Sequence, residues 1–261
     1  MKRVKMLAAA AAMVVMATGT AMATPSTQIW IPSTDAKDFK SYHIDIDNYA
    51  RFSSKNNDGL SANMYNIGLS AGVLPLENLK LEVGVDFLKV GNIGIDGNGN
   101  PISGDDHPFY FNAKLATPEG AFGIKELPAF AVGMFNIGTV GATGQNISYG
   151  LVAKTLPVVG RLSLGGYKGA ETNLGKGADS GLLASLDRNI PEISDKLWLA
   201  VDYMSGKNAN GEVSIGGSWA FSKQISLIVG AVFFNPFQNT VNGSIPGGKP
   251  TLTTQIDISL P

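Results

Sequence analysis

Cysteine is absent from all 261 residues, and histidine occurs only at His43 and His107. Without thiolates the chain has neither a disulfide-stapled scaffold nor a zinc site built on Cys. It also lacks cationic excess: the formal charge is −1, which makes no electrostatic case for nucleic acid. Long apolar runs are missing beyond the first two dozen residues. A membrane core would therefore be met by strands and not by helices.

The first residues read as an address and not as fold. Lys2, Arg3 and Lys5 precede a short apolar run from Met6, and Ala21-Met22-Ala23 closes it. That is the order of a secretory signal with a cut after Ala23, so residues 1–23 are set aside. The mature chain begins at Thr24 and loses those cations, which moves the formal charge from −1 to −4.

Alternation dominates from residue 39 onward. Leu79, Leu81, Val83, Val85 and Phe87 oppose Lys80, Glu82, Gly84 and Asp86. Phe109, Phe111, Ala113 and Leu115 likewise oppose Tyr110, Asn112 and Lys114. A period of two over nine or more residues marks strands with one apolar face. About twelve such segments follow: roughly 39–52, 61–73, 79–90, 108–117, 129–138, 146–155, 160–169, 180–188, 196–205, 211–221, 224–235 and 251–260. Most match the length of strands that cross a bilayer at a tilt. Connections after odd segments are long and rich in Gly and Asn, as in GNIGIDGNGNPISGDDH. Those after even segments are mostly shorter, and several carry a Leu-Pro or Ile-Pro step. An up-and-down antiparallel meander with an even strand count requires such alternation.

On these features the chain resembles a Gram-negative outer-membrane β-barrel of the porin-like kind. The fold expected is all-β, an up-and-down antiparallel transmembrane barrel of about twelve strands over residues 39–261. The resemblance implies passive passage of small hydrophilic solutes or ions. It also implies outer-membrane lipid and the assembly machinery as partners, no cofactor and no enzymatic role, and it leaves the oligomeric state open. The alternative within the class is a closed barrel acting structurally or through its external loops. The chain departs from the class at its end, where Leu260-Pro261 replaces the usual terminal aromatic. A soluble β-sandwich, its apolar faces meeting each other, is the competing fold.

In a barrel, the stretch YHIDIDNYARF turns Tyr42, Ile44, Ile46, Ala50 and Phe52 to lipid and His43, Asp45, Asp47, Tyr49 and Arg51 inward. A charge at the lipid midplane costs roughly 2–4 kcal/mol, so the fold itself demands the polar ladder; the alternative, a metal site, needs further ligands from neighbouring strands. The same sorting sends Lys80, Glu82, Asp86, Lys114, Arg161, Asp187, Asp202 and Asp257 to the lumen wall. Gly68, Ser70, Gly72, Ser148, Gly150, Ser163, Gly165, Ser214 and Gly216 would leave room between them. Aromatics at strand ends, Tyr42, Phe52, Tyr65, Phe87, Phe109, Tyr203, Trp219 and Phe233, fit interfacial girdles.

Other motifs fail in detail. Asp96, Asn98 and Asn100 have the first EF-hand spacings, but Pro101 and His107 stand where Gly and Glu belong, leaving a loose cation site of Asp96, Asp105 and Asp106 against a mobile solvated loop. GAETNLGKG misses the phosphate-loop spacing. His43 on a polar face and His107 in a loop are not placed for lipid hydrolysis. Residues 24–38, with Trp30 between Ile29 and Ile31, read as a periplasmic tail tied down by Trp30 or as a plug-like segment that narrows the barrel.

Overall fold

The computed structural model describes residues 26–52, 63–95, 101–103, 105–141, 144–237 and 247–261; the segment expected to be a signal sequence and Asp96 lie outside them. Fourteen strands follow in order: β1 (Tyr42–Arg51), β2 (Asn63–Gly72), β3 (Lys80–Lys89), β4 (Asn92–Ile95), β5 (Pro101–Ser103), β6 (Phe109–Thr117), β7 (Ala129–Gly138), β8 (Ile147–Leu156), β9 (Gly160–Lys168), β10 (Ser180–Asn189), β11 (Leu197–Met204), β12 (Glu212–Ala220), β13 (Ile225–Phe234) and β14 (Thr251–Leu260). All but β4 and β5 form one closed antiparallel sheet in chain order, and β1 closes it by pairing with β14 from Tyr42↔Leu260 to Arg51↔Thr251. Closure removes both edges of the sheet, which a membrane core requires. The expected twelve-stranded barrel is the fold observed.

The apolar faces point outward. Ile46, Ile67, Leu69, Phe111, Val132, Leu164, Ile215, Val229 and Ile256 are all exposed, while their chain neighbours turn inward. Bare to water, this belt would be a large unpartnered apolar surface; facing lipid, it is the wall of a transmembrane barrel. The expected girdle residues Tyr42, Phe52, Tyr65, Phe87, Phe109, Trp219 and Phe233 lie on the same exposed face.

The register of β7, apolar on both faces, is set by a bulge. Phe111 pairs with Ile137, yet Ala113 pairs with Met134, so β7 carries one extra residue. Asn136 takes up the slack at φ 51°, a left-handed conformation that Asn tolerates.

Three features differ from expectation. The connection after β3 is not simply a solvated loop, because β4 and β5 pair within it as a small hairpin. Ser148 and Gly150 face outward, and Tyr149, Leu151 and Ala153 fill the interior instead. The lumen is also not polar throughout: Ile147, Tyr149, Leu151, Tyr167, Leu183 and Met204 form a buried cluster inside it. In β8 the inward face is nearly as apolar as the outward one, so alternation alone does not orient the strand. Among the described residues the helical pieces are one turn of 3-10 helix at Ala121–Gly123 and α1 (Glu171–Leu174), which lies within GAETNLGKG.

Candidate functional site

Residues 26–35 pack inside the barrel, and the chain reaches its exposed rim by Asp38. Thr27 bridges Pro32 and the Gln28 amide donates to the Ile31 carbonyl at 2.8 Å, so the segment doubles back as a hairpin with Ile29 and Trp30 at its tip. The Ser33 hydroxyl braces it by donating to the Ser26 carbonyl at 3.0 Å and accepting from the Asp35 amide at 3.2 Å. Gln28, Ile29, Ile31 and Ser33 are all buried.

Polar groups of the wall hold this hairpin from several sides. Asp202 on β11 accepts the amides of Ile29 and Trp30 at 2.8 and 2.9 Å. Hydrogen bonds to a charged acceptor contribute about 1.5–3 kcal/mol each. Gln255 on β14 donates to the Ile29 carbonyl at 2.8 Å and to the Tyr49 hydroxyl at 3.0 Å. Trp30 meets Tyr49 and Phe234 edge-on, at centroid distances of 5.3 and 5.4 Å.

Nearer the turn end, Glu82 and Lys114 are register partners on β3 and β6. Glu82 accepts from the hydroxyls of Ser26 and Ser70 and, at 3.2 Å, from the Lys37 amide. The Lys114 ammonium donates to the carbonyls of Ser26 and Asp35. Arg161 donates to Asp35 at 2.7 Å and to Asp187 at 3.0 Å, and Asp187 in turn accepts from Gln28 and from the Trp198 indole. Burial would raise the Asp35 carboxyl, but Arg161, followed by Lys114 and Lys37, outweighs it and holds the group below the usual carboxylate range.

The structure thus separates the sequence-selected residues into groups. Glu82, Lys114, Arg161, Asp187 and Asp202 bind the lumenal hairpin, and Lys80 pairs with Asp38 at 2.6 Å where the hairpin joins β1. His43 joins Asp257 across the β1–β14 seam at 3.3 Å, and its other ring nitrogen lies 3.3 Å from the Ser259 hydroxyl. The carboxylate sits on Nε2 and the hydroxyl on Nδ1, the reverse of a nucleophilic triad, and Lys37 lies over Ser259 at 3.5 Å. These three residues tie the seam together.

Asp45, Asp47, Arg51 and Asp86 form the remaining group. Asn66 donates to Asp45 at 2.9 Å and to Asp86 at 3.4 Å, and Asn112 donates to Asp86 at 2.7 Å. Gly68 is what lets the Asp45 carboxylate lie flat on β2, since a Cβ there would fall 2.2 Å from its Oδ1. The inward Met64, Asn66, Asp86 and Asn112 are half-buried, whereas Ser70, Glu82 and Lys114 nearer the turn end of the same strands, and Ser163, Ser214 and Ile228 on β9, β12 and β13, are buried. The half-buried inward groups of β1, β2, β3 and β6 are mostly carboxylates and amides.

At the loop end, a buried amide network covers the other side. Asn208 donates to the Tyr167 hydroxyl at 2.8 Å and to the Ala178 carbonyl at 2.6 Å, and Asn210 donates to Gln145 at 2.7 Å. Leu174 of α1 joins the same apolar cluster as Ile31. In the 91–107 connection, Asp105 accepts the Gly91 amide at 2.8 Å. Among the described residues no three metal-ligating side chains converge.

Sequence reasoning missed Gln28, Asn66, Asn112, Gln255 and Ser259. Their signal was present only as polar residues on inward strand positions or, for Gln28, in a segment with no periodicity.

No protein-family model and no curated sequence matches the chain. Solved structures are similar to it, one of them with a TM-score above 0.5. An outer-membrane channel from Pseudomonas putida F1 superposes with a TM-score of 0.53 at 13% identity, over 87% of this chain and 97% of that one. The KdgM porin gives a TM-score of 0.47 at 8% identity, over 84% and 98%.

Proposed function

We propose that this protein is a porin-like channel of a Gram-negative outer membrane, passing small hydrophilic solutes or ions by diffusion. On this reading residues 26–38 are a resident plug that narrows the passage. The observation that carries it is a band of half-buried inward groups, Asp45, Asp47, Asp86, Asn66 and Asn112, beside the seated hairpin, whereas Ser163, Ser214 and Ile228 on β9, β12 and β13 are fully buried. Carboxylates and amides along such a band replace part of a solute's hydration, and the width left beside the hairpin sets the cutoff. Enzymatic chemistry is not part of this reading, because His43 is committed to the β1–β14 seam.

The test is planar-bilayer conductance of the refolded mature chain beside a form lacking residues 24–37. Stepwise openings that grow larger or more frequent in the shortened form support the reading. Silent membranes with both folded proteins would sink it. They would favour a closed barrel working through its external surface, for which the fully seated hairpin is the specific support.

A further inference from the structure

Each turn at the end opposite the long loops presents a large apolar side chain to the outside. Leu76 does so between β2 and β3, Ile124 between β6 and β7, Val158 between β8 and β9, Ile193 between β10 and β11, and Phe221 between β12 and β13. Val158 is 83% exposed and Ile193 74%. These are polar-turn positions in most proteins.

Two residues of these turns, one of them a tip, are held in conformations that side chains avoid. Val158 stands at φ 68° and Phe122, beside Ile124, at φ 57°. A β-branched or bulky residue with positive φ is an outlier, and such strain, of order 1–3 kcal/mol, persists where surrounding structure imposes it, commonly at functional positions. At Phe122 the neighbouring turn imposes it: the Phe122 amide donates to Asn78 Oδ1 at 3.1 Å.

The arrangement identifies the occupant. A docking protein would cover one sector of the rim, but these tips occur in every turn around the circumference. They also continue the lipid-facing belt below the strand ends, where Phe130, Leu156 and Ile225 already face outward. At the strand ends the outward Lys154 lies 3.0 Å from Glu119 and Arg188 pairs with Glu192, while Lys125, Lys196 and Lys223 are exposed in the turns, where polar head groups would meet them. We infer that the turn end is seated in the boundary between head groups and acyl chains of the leaflet it meets, with these tips as lipid anchors. Amphipathic surfaces bury apolar side chains about 5–10 Å into that boundary.

Because the chain has no cysteine, single thiols at Val158, Ile193 and Leu76 can each carry a polarity-sensitive dye. The full mature chain, with folding confirmed by heat-dependent gel mobility, is placed in phosphatidylcholine vesicles. The expected result is blue-shifted emission at all three sites, with about half of it lost when spin labels sit high on the acyl chains, at the depth typical of interfacial anchors. Water-like emission quenched by iodide would overturn the inference. Protection that appears only in native outer-membrane fragments would also overturn it, in favour of a protein partner. Ile193→Cys and Leu76→Cys give the reading on their own if Val158→Cys does not refold.

Discussion

Arg161 reaches across the lumen to Asp35 at 2.7 Å, so a wall residue of β9 and a hairpin residue share one short charge-assisted bond. Asp35→Ala therefore loosens the hairpin without touching the β9–β10 pair. The expected outcome is faster protease cleavage within residues 26–38 and more frequent channel openings. Exchange of the two charges, Asp35→Arg with Arg161→Asp, should recover part of the protection. No change in either readout for Asp35→Ala would mean that this bond does not hold the hairpin.

Acid should have a similar effect. The Asp35 carboxyl titrates below its ordinary range when the hairpin is seated, so its contribution is present above the unfolded value. That contribution disappears as pH falls through the depressed one. Conductance should rise at pH values below the usual carboxylate range, and the part due to Asp35 should be missing in Asp35→Asn. Identical profiles for the two proteins would contradict the assignment.

Asp202→Ala leaves two hairpin amides buried without their acceptor. The expected cost is about 1–3 kcal/mol, read as a lower urea midpoint. The same substitution in a chain without residues 24–37 should cost much less, because the amides it served are gone. Equal shifts in both backgrounds would place the role of Asp202 within the wall itself.

Asp45→Asn with Asp47→Asn removes two half-buried inward carboxylates of β1. In a salt gradient the reversal potential should move toward anions, with gel mobility unchanged. An unaltered potential would mean that ions do not pass along β1.

Ile256→Arg sets a charge in the middle of β14, on the outward face between Ile46 and Leu227. Its expected cost in a bilayer is about 2–4 kcal/mol, measured by denaturant titration in vesicles. A neutral result would argue that this face does not meet lipid.

The barrel was legible in the sequence because lipid enforces one rule on every strand: apolar outward, at a period of two. Phe109 to Leu115 obeys it without exception, and so does Val213 to Phe221. The hairpin was not legible as to place. Gln28, Ile29 and Trp30 have no periodicity, and their partners, Asp187, Asp202 and Gln255, lie far along the chain. For β8 the rule failed because a packed interior asks for apolar residues as well, so Tyr149 and Leu151 gave no contrast with Val152. Asn136 could be read as a good left-handed residue, but nothing in the sequence alone says that β7 needs one.

The bond from Gln255 to Ile29 spans 226 positions, which bears on the order of folding. The hairpin precedes every strand that holds it, and its partners are spread along the chain: Glu82 and Lys114 on β3 and β6, Arg161, Asp187 and Asp202 on β9 to β11, and Gln255 on the final strand. Contacts of such separation form late. The segment can meet β3 and β6 early but gains its full set of partners only when β14 arrives and the seam at β1 shuts, so the last step of assembly is the one that finishes enclosing it.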